Sequence, residues 1–306
     1  MFKKCALFAG CVALLCGVSL AARSAREGDK VPEYNPVPNW LQLPKGFKFG
    51  LVTGVATDKD DNLYIFHRGR RPVAIFDKAG KFLRSWGKDE VETAHGLRID
   101  HEGNVWTTDL DRHQVIKHDP NGKVLLTLGK AYIAGNTPDK FDMPADVAIA
   151  ANGDIYVADG YGNSRVVKFN KDGKYLKEWG KPGKGPGEFD LVHAIVLDAK
   201  GRVYVGDRDN DRIQVFDTDG QFLEQWRGNG APYGLFLQNG QRLLVADGRG
   251  DQVRLLDLTG KVLGRFGQKG KAPGQFLMAH GICADSRGVV YVTEGDGERV
   301  QKFVAN

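Results

Sequence analysis

The chain has 306 residues, 42% of them hydrophobic, so it is long enough and apolar enough to bury a sizeable core. Its net charge of +5 is spread along the chain, with no basic stripe interleaved with aromatic residues, which argues against binding to nucleic acid. The 40 glycines make the chain glycine-rich without making it low in complexity.

The first element in chain order is a targeting segment. A positively charged start, MFKK, precedes the apolar run CALFAGCVALLCGVSLAA, and Ser19 and Ala21 provide a small-x-small cleavage site. This pattern is typical of a secretory signal peptide, predicted here over residues 1–25. An uncleaved membrane anchor is the alternative, because the run is near the lower limit for spanning a bilayer. We therefore expect a secreted or periplasmic protein without a stable membrane anchor.

Cysteine usage limits how the mature chain is stabilised. Cys5, Cys11 and Cys16 all lie in the targeting segment, which leaves Cys283 alone in the rest of the chain. The mature protein is therefore expected to have no intramolecular disulfide, and packing has to stabilise it.

After residue 50 the chain repeats itself. Each unit has an apolar first strand, a short turn, a second strand such as NLYIF or DIYVA, a third strand such as RVVKF, and a glycine turn before a fourth strand. Successive units are 42, 50, 48, 40 and 47 residues apart, measured between equivalent positions. Those positions are Asp58, Asp100, Ala150, Asp198, Gln238 and Asp285. Periods of this length with four strands each indicate propeller blades.

We therefore predict an all-β fold, a six-bladed β-propeller that occupies residues 26–306. The sixth unit ends at RVQKFVAN without its last strand, and the segment 37–50 is the candidate to supply it. A strand from the other terminus would close the ring and remove exposed sheet edges. A pair of β-sandwiches is the alternative, and the regular period argues against it.

Three histidines occupy one position of the repeat. His95, His193 and His280 each lie five residues before the anchor residue of units 2, 4 and 6. Alternate blades of a sixfold ring are related by a threefold rotation, so the three imidazoles should converge on the central axis. Three neutral imidazoles with an open fourth position are a recognised catalytic zinc arrangement. Ordinary hydrogen-bonded strand histidines are the alternative.

The end of the second strand of each unit is expected to lie on the same side of the propeller as the three histidines. It usually carries an acid, and these acids are interpreted as scaffold that pairs with Arg165, Arg212, Arg299 or with loop amides. Unit 1 has no acid at this place, where its sequence is IFHRGRR. Arg68 suggests that the site binds a molecule that carries a carboxylate. In unit 3 Tyr161 is a candidate base, since a metal ion and an arginine would make its phenol easier to ionise. Each residue also has a simpler interpretation. Arg68 could be an ordinary surface residue, and Tyr161 could only pack against its neighbours.

These residues carry a family resemblance. The repeats resemble NHL repeats, and the chain from about residue 37 resembles the peptidyl-α-hydroxyglycine α-amidating lyases (peptidylamidoglycolate lyases). The matching phrases are FHRG at 66–69, AHGL at 94–97, VADGYGNSRV at 157–166, LVHAI at 191–195 and MAHGI at 278–282.

The resemblance implies a zinc lyase that cleaves peptidyl-α-hydroxyglycine to a peptide amide and glyoxylate. Its zinc ligands would be His95, His193 and His280. Its active-site arginine, tyrosine and methionine would be Arg68, Tyr161 and Met278. The substrate would then be a small molecule or peptide with a carboxylate, and we expect the protein to act as a monomer.

The sequence also departs from the family. The lyases hold a structural calcium ion (Ca²⁺) with an aspartate directly after the last zinc-binding histidine, and here that position is Gly281. Ca²⁺ is therefore less well supported than zinc (Zn²⁺). A non-catalytic NHL propeller that binds a protein or peptide partner is the main alternative function. A metal-dependent lactonase or esterase on a six-bladed propeller fits less well, because such sites usually hold calcium with carboxylate and asparagine oxygens.

Overall fold

Short runs of β-branched and aromatic residues, bounded by turns, form the strands of this protein. The computed structural model describes residue 1, residues 32–88 and residues 90–306, so the predicted signal peptide lies outside the described residues except for Met1. Residues 32–306 form one compact unit. Within it, the only helical element described is a short 3₁₀ helix, Arg208–Asn210. A helix with the length and hydrophobicity needed to cross a membrane is not found among the described residues.

The strands form six antiparallel sheets of four strands, which confirms the predicted six-bladed β-propeller. Blade 1 contains β2 (Val52–Thr57), β3 (Leu63–His67), β4 (Val73–Phe76) and β5 (Phe82–Trp86). Blade 2 contains β6 (Ala94–Ile99), β7 (Val105–Asp109), β8 (Gln114–His118) and β9 (Val124–Leu128). Blade 3 contains β10 (Pro144–Ile149), β11 (Ile155–Asp159), β12 (Arg165–Phe169) and β13 (Tyr175–Trp179).

The remaining three blades follow the same plan. Blade 4 contains β14 (Val192–Leu197), β15 (Val203–Asp207), β16 (Arg212–Phe216) and β17 (Phe222–Arg227). Blade 5 contains β18 (Pro232–Gln238), β19 (Arg242–Asp247), β20 (Gln252–Asp257) and β21 (Val262–Phe266). Blade 6 contains β22 (Ala279–Ala284), β23 (Val290–Glu294), β24 (Arg299–Ala305) and, from the other end of the chain, β1 (Tyr34–Pro36). The first strands of successive blades contact one another around the ring, and β22 contacts β2.

The fourth strand of blade 6 is not where the sequence predicts it. β1 pairs with β24 through Tyr34–Ala305 and Pro36–Phe303, whereas the prediction placed this strand within residues 37–50. The apolar residues that suggested a strand there instead pack against the core between blades 1 and 6, among them Trp40, Leu41 and Phe49. Prolines at 38 and 44 also disfavour a regular strand in that segment.

Candidate metal centre

The first strand of every blade carries a β-bulge near its start, and the three histidines lie in these bulges. In blade 4, Val192 pairs with Asp207 and Ala194 with Gly206, so His193 is the extra residue. The register shifts in the same way between Ala94 and Leu97 in blade 2, and between Ala279 and Ile282 in blade 6. A bulge takes a residue out of the regular ladder and redirects its side chain, which here allows the imidazoles to turn toward the axis.

The structure brings His95, His193 and His280 together. Their ring centroids are 4.8, 4.9 and 5.0 Å apart, a nearly equilateral triangle. One ring nitrogen from each lies within 4.8 Å of the others, and all three side chains are buried. Among residues 32–88 and 90–306, this is the one group of three or more histidine, cysteine or acidic side chains arranged to hold a metal ion.

Each imidazole is oriented by the neighbouring blade. The Nδ1 atoms of His95 and His193 lie 2.7 Å from the carbonyl oxygens of Ala145 and Tyr233, and Nδ1 of His280 lies 2.9 Å from that of Thr53. A carbonyl only accepts, so each Nδ1 carries the proton and each Nε2 keeps its lone pair. Thr53, Ala145 and Tyr233 occupy the histidine position of the three odd-numbered blades. The odd blades therefore fix the tautomer of the histidines on the even blades.

Close approach of these carbonyls explains the glycine after two of the histidines. A Cβ atom on Gly96 would lie 2.6 Å from the carbonyl oxygen of Ala145, and one on Gly281 would lie 2.5 Å from that of Thr53. These are the carbonyls that bond His95 and His280. An aspartate at position 281, which the resemblance would imply, would therefore displace the backbone that orients His280.

Burial keeps the three imidazoles neutral. Removal from water lowers the pKa of His95 and His193 well below the usual value, and neighbouring imidazoles lower it further. Burial lowers the pKa of His280 to about 4, and the charges of Arg68 and Arg208 act in the same direction. Neutral imidazole is the form that binds a metal ion, so the donor set suits a cation at neutral pH.

Tyr161 lies against the cluster, as the sequence predicts. Its hydroxyl is 3.0 Å from Nε2 of His95 and 3.1 Å from Nε2 of His193. Burial raises the pKa of its phenol, although the guanidinium groups of Arg208 and Arg68 oppose the rise. This direction is opposite to the one expected from the sequence for a metal-loaded site, because in the protein alone burial outweighs the two arginines.

Two arginines reach this site from opposite blades. Arg68 follows the last residue of β3 and Arg208 follows the last residue of β15, and their amides donate to the carbonyls of Leu51 and Leu191 at equivalent places. The Arg68 side chain is exposed and donates from Nε to the carbonyl oxygen of Ala94 at 3.2 Å. Arg208 donates to the Tyr161 hydroxyl at 3.3 Å.

Arg208 is not among the site residues that the sequence predicts. The signal was available, because Arg208 follows the strand-end acid Asp207 just as Arg68 follows His67. The guanidinium of Arg208 lies between two rings, with its central carbon 5.4 Å from the Tyr161 centroid and 4.9 Å from that of Tyr233. Tyr233 was also missed, although it fills the histidine position of blade 5.

Met278 is placed two residues before His280 with a left-handed backbone, φ 59°. Its carbonyl accepts the amide of Gly295 at 3.0 Å, and its terminal methyl fills the space that a side chain at position 295 would need. The structure thus packs Met278 against the loop after β23. A φ in this region is uncommon for a residue other than glycine and marks a position that its surroundings hold in place.

The strand-end acids are scaffold, as predicted. Asp159 pairs with Arg165 at 2.9 Å, Asp207 with Arg212 at 2.7 Å and Glu294 with Arg299 at 2.5 Å. The same acids accept loop amides, for example that of Asp190 on Asp207 at 2.9 Å. These pairs join the loop before each blade to its second and third strands.

Further down the axis an ion pair connects the first strands of four blades. Arg98 on β6 pairs with Asp146 on β10, with Nε 3.0 Å from Oδ1, and also donates to the carbonyl oxygen of Leu235 at 3.1 Å. Asp146 in turn accepts the amides of Val147 and Ile195 at 2.9 and 3.0 Å. The guanidinium already provides positive charge here, which gives a calcium ion in this channel no support.

Comparison with known proteins agrees with the six-bladed β-propeller fold. A family model described as a 6-bladed beta-propeller matches residues 109–228. Peptidylglycine alpha-amidating monooxygenase of Rattus norvegicus is 33% identical over 83% of this chain, and the chain spans 30% of that protein's length. Peptidyl-alpha-hydroxyglycine alpha-amidating lyase 1 of Drosophila melanogaster is 31% identical over 84% of this chain, which spans 57% of that protein.

Another relative is matched over most of its own length. NHL repeat-containing protein 3 of Homo sapiens is 34% identical over 87% of this chain and 82% of that protein. Among solved structures, a streptogramin B lyase superposes with a TM-score of 0.64 at 16% identity, covering 90% of this chain and 98% of that one. At this identity the structural match shows a shared fold only.

Proposed function

Since the chain belongs to the family of NHL-repeat six-bladed β-propellers, we propose that it is a zinc-dependent lyase that converts peptidyl-α-hydroxyglycine, or a related carbinolamide, to an amide and glyoxylate. The observation that carries the proposal is the convergence of three neutral imidazoles on one point, with the Tyr161 hydroxyl against two of them. The family resemblance and the lyase of Drosophila melanogaster support the reaction type.

The residues present fit a zinc ion. His95, His193 and His280 each offer Nε2, because each Nδ1 is engaged by a backbone carbonyl. Three imidazole ligands leave a fourth position for substrate, as in catalytic zinc sites. Zinc bound there would act as a Lewis acid toward the substrate hydroxyl.

Tyr161 is the group best placed to move the proton. In this reaction a proton leaves the carbinol oxygen, the C–N bond breaks as the carbonyl forms, and the amide nitrogen gains a proton, so no oxidant or other co-reactant is required. Arg208 and Arg68 favour the phenolate form of Tyr161, while burial disfavours it. Positive charge held by the three Nε2 atoms would lower the same pKa. Tyr161 then serves as general base at the hydroxyl.

Arg68 is proposed to bind the substrate carboxylate. Its guanidinium is exposed and bonds only a backbone carbonyl among the described residues, so its remaining donors are available. Arginine binds carboxylates through paired hydrogen bonds, which fixes the orientation of the reacting carbon. We assign Arg208 to holding the Tyr161 hydroxyl and Met278 to the pocket wall.

The setting of the enzyme follows from the N-terminal segment and from composition. We propose that the protein is secreted or periplasmic and acts as a monomer on a small molecule or peptide. Nucleic acid is not among its proposed partners.

A second candidate is a non-catalytic propeller that binds a protein or peptide. The match over 82% of NHL repeat-containing protein 3, whose name states no activity, favours it. This alternative predicts no stoichiometric zinc in the purified protein, and partner binding that survives His193→Ala.

The proposed reaction is tested with α-hydroxyhippurate, a small carbinolamide that carries a carboxylate. Zinc-loaded protein should release glyoxylate and benzamide in equal amounts, chelator-treated protein should not, and hippurate, which lacks the hydroxyl, should be inert. Absence of glyoxylate from α-hydroxyhippurate and from peptidyl-α-hydroxyglycine substrates would contradict the lyase.

A further inference from the structure

Among the second strands of the six blades, only that of blade 1 ends without an acid, at position 67. The equivalent residues of the other blades all accept loop amides or pair with arginine. They are Asp109, Asp159, Asp207, Asp247 and Glu294. The register identifies His67 as their counterpart, because it pairs with Val52 as Asp207 pairs with Val192.

His67 performs the acceptor role of those acids without a charge. Its Nδ1 accepts the amide of Gly69 at 3.0 Å and that of Gly50 at 3.4 Å, so the ring proton is on Nε2. The side chain is buried, and Nε2 has no hydrogen-bond partner. The rings of Phe47 and Phe49 lie with their centroids 5.7 and 5.0 Å from the imidazole. This apolar enclosure disfavours the imidazolium, and burial lowers the pKa of His67 to about 4.

The loop is built around the imidazole. A Cβ atom on Gly69 would lie 2.6 Å from Cε1 of His67 and 2.7 Å from its Nδ1. Residues 67–69 therefore form a tight turn in which the imidazole and the glycine amide fix the backbone on both sides of Arg68.

The two arginines that reach the site differ in their charge partners. Arg208 pairs with Asp209 at 2.9 Å, and Asp209 also pairs with Arg249 at 2.6 Å. Arg68 has no carboxylate within ion-pair distance in the part of the chain that the structure describes, and its bond to Ala94 is to a neutral carbonyl. A neutral residue at position 67 maintains this difference, since an aspartate there would place an anion next to Arg68.

We propose that His67 is a positioning residue that holds the Arg68 loop as a neutral acceptor and so keeps the guanidinium free for an anionic group of the ligand. The identity of that group as the substrate carboxylate rests on the proposed function. His67 is then a determinant of selectivity for acids over their uncharged analogues.

The test compares His67→Asp with His67→Asn. Both replacements offer an oxygen where Nδ1 accepts, but only aspartate adds charge. For α-hydroxyhippurate, His67→Asp should raise KM roughly five- to tenfold with little change in kcat, and His67→Asn should restore KM to near the wild-type value. For the uncharged methyl ester of the same compound, the two variants should have equal KM values. Equal KM values for the acid in both variants would overturn the proposal.

Calorimetric binding of hippurate separates this proposal from the lyase proposal, because it requires no turnover. Hippurate should bind wild type and His67→Asn alike and His67→Asp roughly five- to tenfold more weakly, even if no glyoxylate is ever formed. If His67→Asp does not fold, Arg68→Gln and His67→Asn decide the matter. Unchanged hippurate affinity in Arg68→Gln, weakened affinity in His67→Asn, or no binding by wild type would each overturn the role of His67.

Discussion

Two levels of the axial channel are built from the same strands but differ in how their polar groups are paired. We call the level of His95, His193 and His280 the upper level and the level of Arg98 and Asp146 the lower level. At the lower level, Arg98 and Asp146 are satisfied by each other and by backbone groups of β14 and β18. At the upper level, three residues earlier on β6, His95 directs its Nε2 toward two other imidazoles, with Tyr161 as its protein partner.

The difference separates a level whose polar groups pair within the protein from a level whose donor atoms could hold a cation. The Arg98–Asp146 pair is mostly buried and bonded to protein groups, so it needs no ligand, and it joins neighbouring blades. Three converging lone pairs do not satisfy one another, so the upper level is suited to a cation. Substitutions at the two levels should therefore have separable effects, on metal and activity above and on stability below.

The largest effect is expected from His193→Ala. Loss of one of three ligands should abolish stoichiometric zinc binding and reduce glyoxylate release to background, since even the groups that orient a ligand contribute roughly 10- to 100-fold to metal affinity. Zinc content and turnover are the measurements. His118→Gln, which alters a buried histidine outside the cluster, is the control and should retain both. Full zinc content in His193→Ala would contradict the site.

Tyr161→Phe should separate chemistry from metal binding. Without the hydroxyl, kcat should fall by roughly 100-fold or more, as for loss of a general base, while zinc content stays at the wild-type level. Tyr156→Phe, in the same blade but with its hydroxyl 3.4 Å from the carbonyl oxygen of Thr218, is the matched control. A kcat within threefold of wild type would remove Tyr161 from the proposed mechanism.

At the lower level, Arg98→Met should lower stability without removing the metal site. Asp146 would remain as a buried carboxylate without its cation, which destabilises a protein by about 3 kcal/mol. Denaturant unfolding at pH 7 measures this, with the exposed Arg265→Met as control. Loss of zinc from folded Arg98→Met protein, with stability unchanged, would show that the two levels are not separable.

The smallest effect concerns pH. Burial lowers the pKa of His118 to about 4 from 6.5, and its Nε2 lies 3.1 Å from the Thr107 hydroxyl. Because the folded-state pKa is depressed, the unfolded chain binds a proton on His118 more readily than the folded protein does. The free energy of unfolding is therefore unaffected above pH 6.5 and decreases as the pH falls toward 4. For one such histidine the loss is about 2 kcal/mol at pH 5. His118→Gln should flatten the decline in metal-free protein between pH 6.5 and 4, and an unchanged slope would contradict it.

The fold and the histidine cluster could be predicted because both depend on local repetition. The glycine turn that the sequence predicts before the fourth strand has a positive φ in blades 1 to 5, between 77° and 95°. These glycines are Gly80, Gly122, Gly173, Gly220 and Gly260. Equivalent positions in equivalent units have equivalent geometry, so the convergence of His95, His193 and His280 follows from their spacing.

Features that do not recur at equivalent positions of the repeats were missed or misplaced by the sequence-based prediction. Arg98 and Asp146 lie at different positions of their units, and no repeat rule pairs them. Arg208 lies in the charged stretch DRDNDR at 207–212, and its equivalence to Arg68 was not recognised. β1 was misplaced because apolar residues of the following segment pack as irregular chain against the core. In each case the position of the residues is set by packing between distant parts of the chain. Such packing produces no repeating pattern in the sequence.

The most direct test of the central claim is a zinc titration of metal-free protein, with glyoxylate release from α-hydroxyhippurate measured at each addition. Turnover should rise in proportion to bound zinc and stop rising at one zinc per chain. Turnover that is independent of zinc, or zinc that binds at the three histidines without any turnover of carbinolamide substrates, would contradict it.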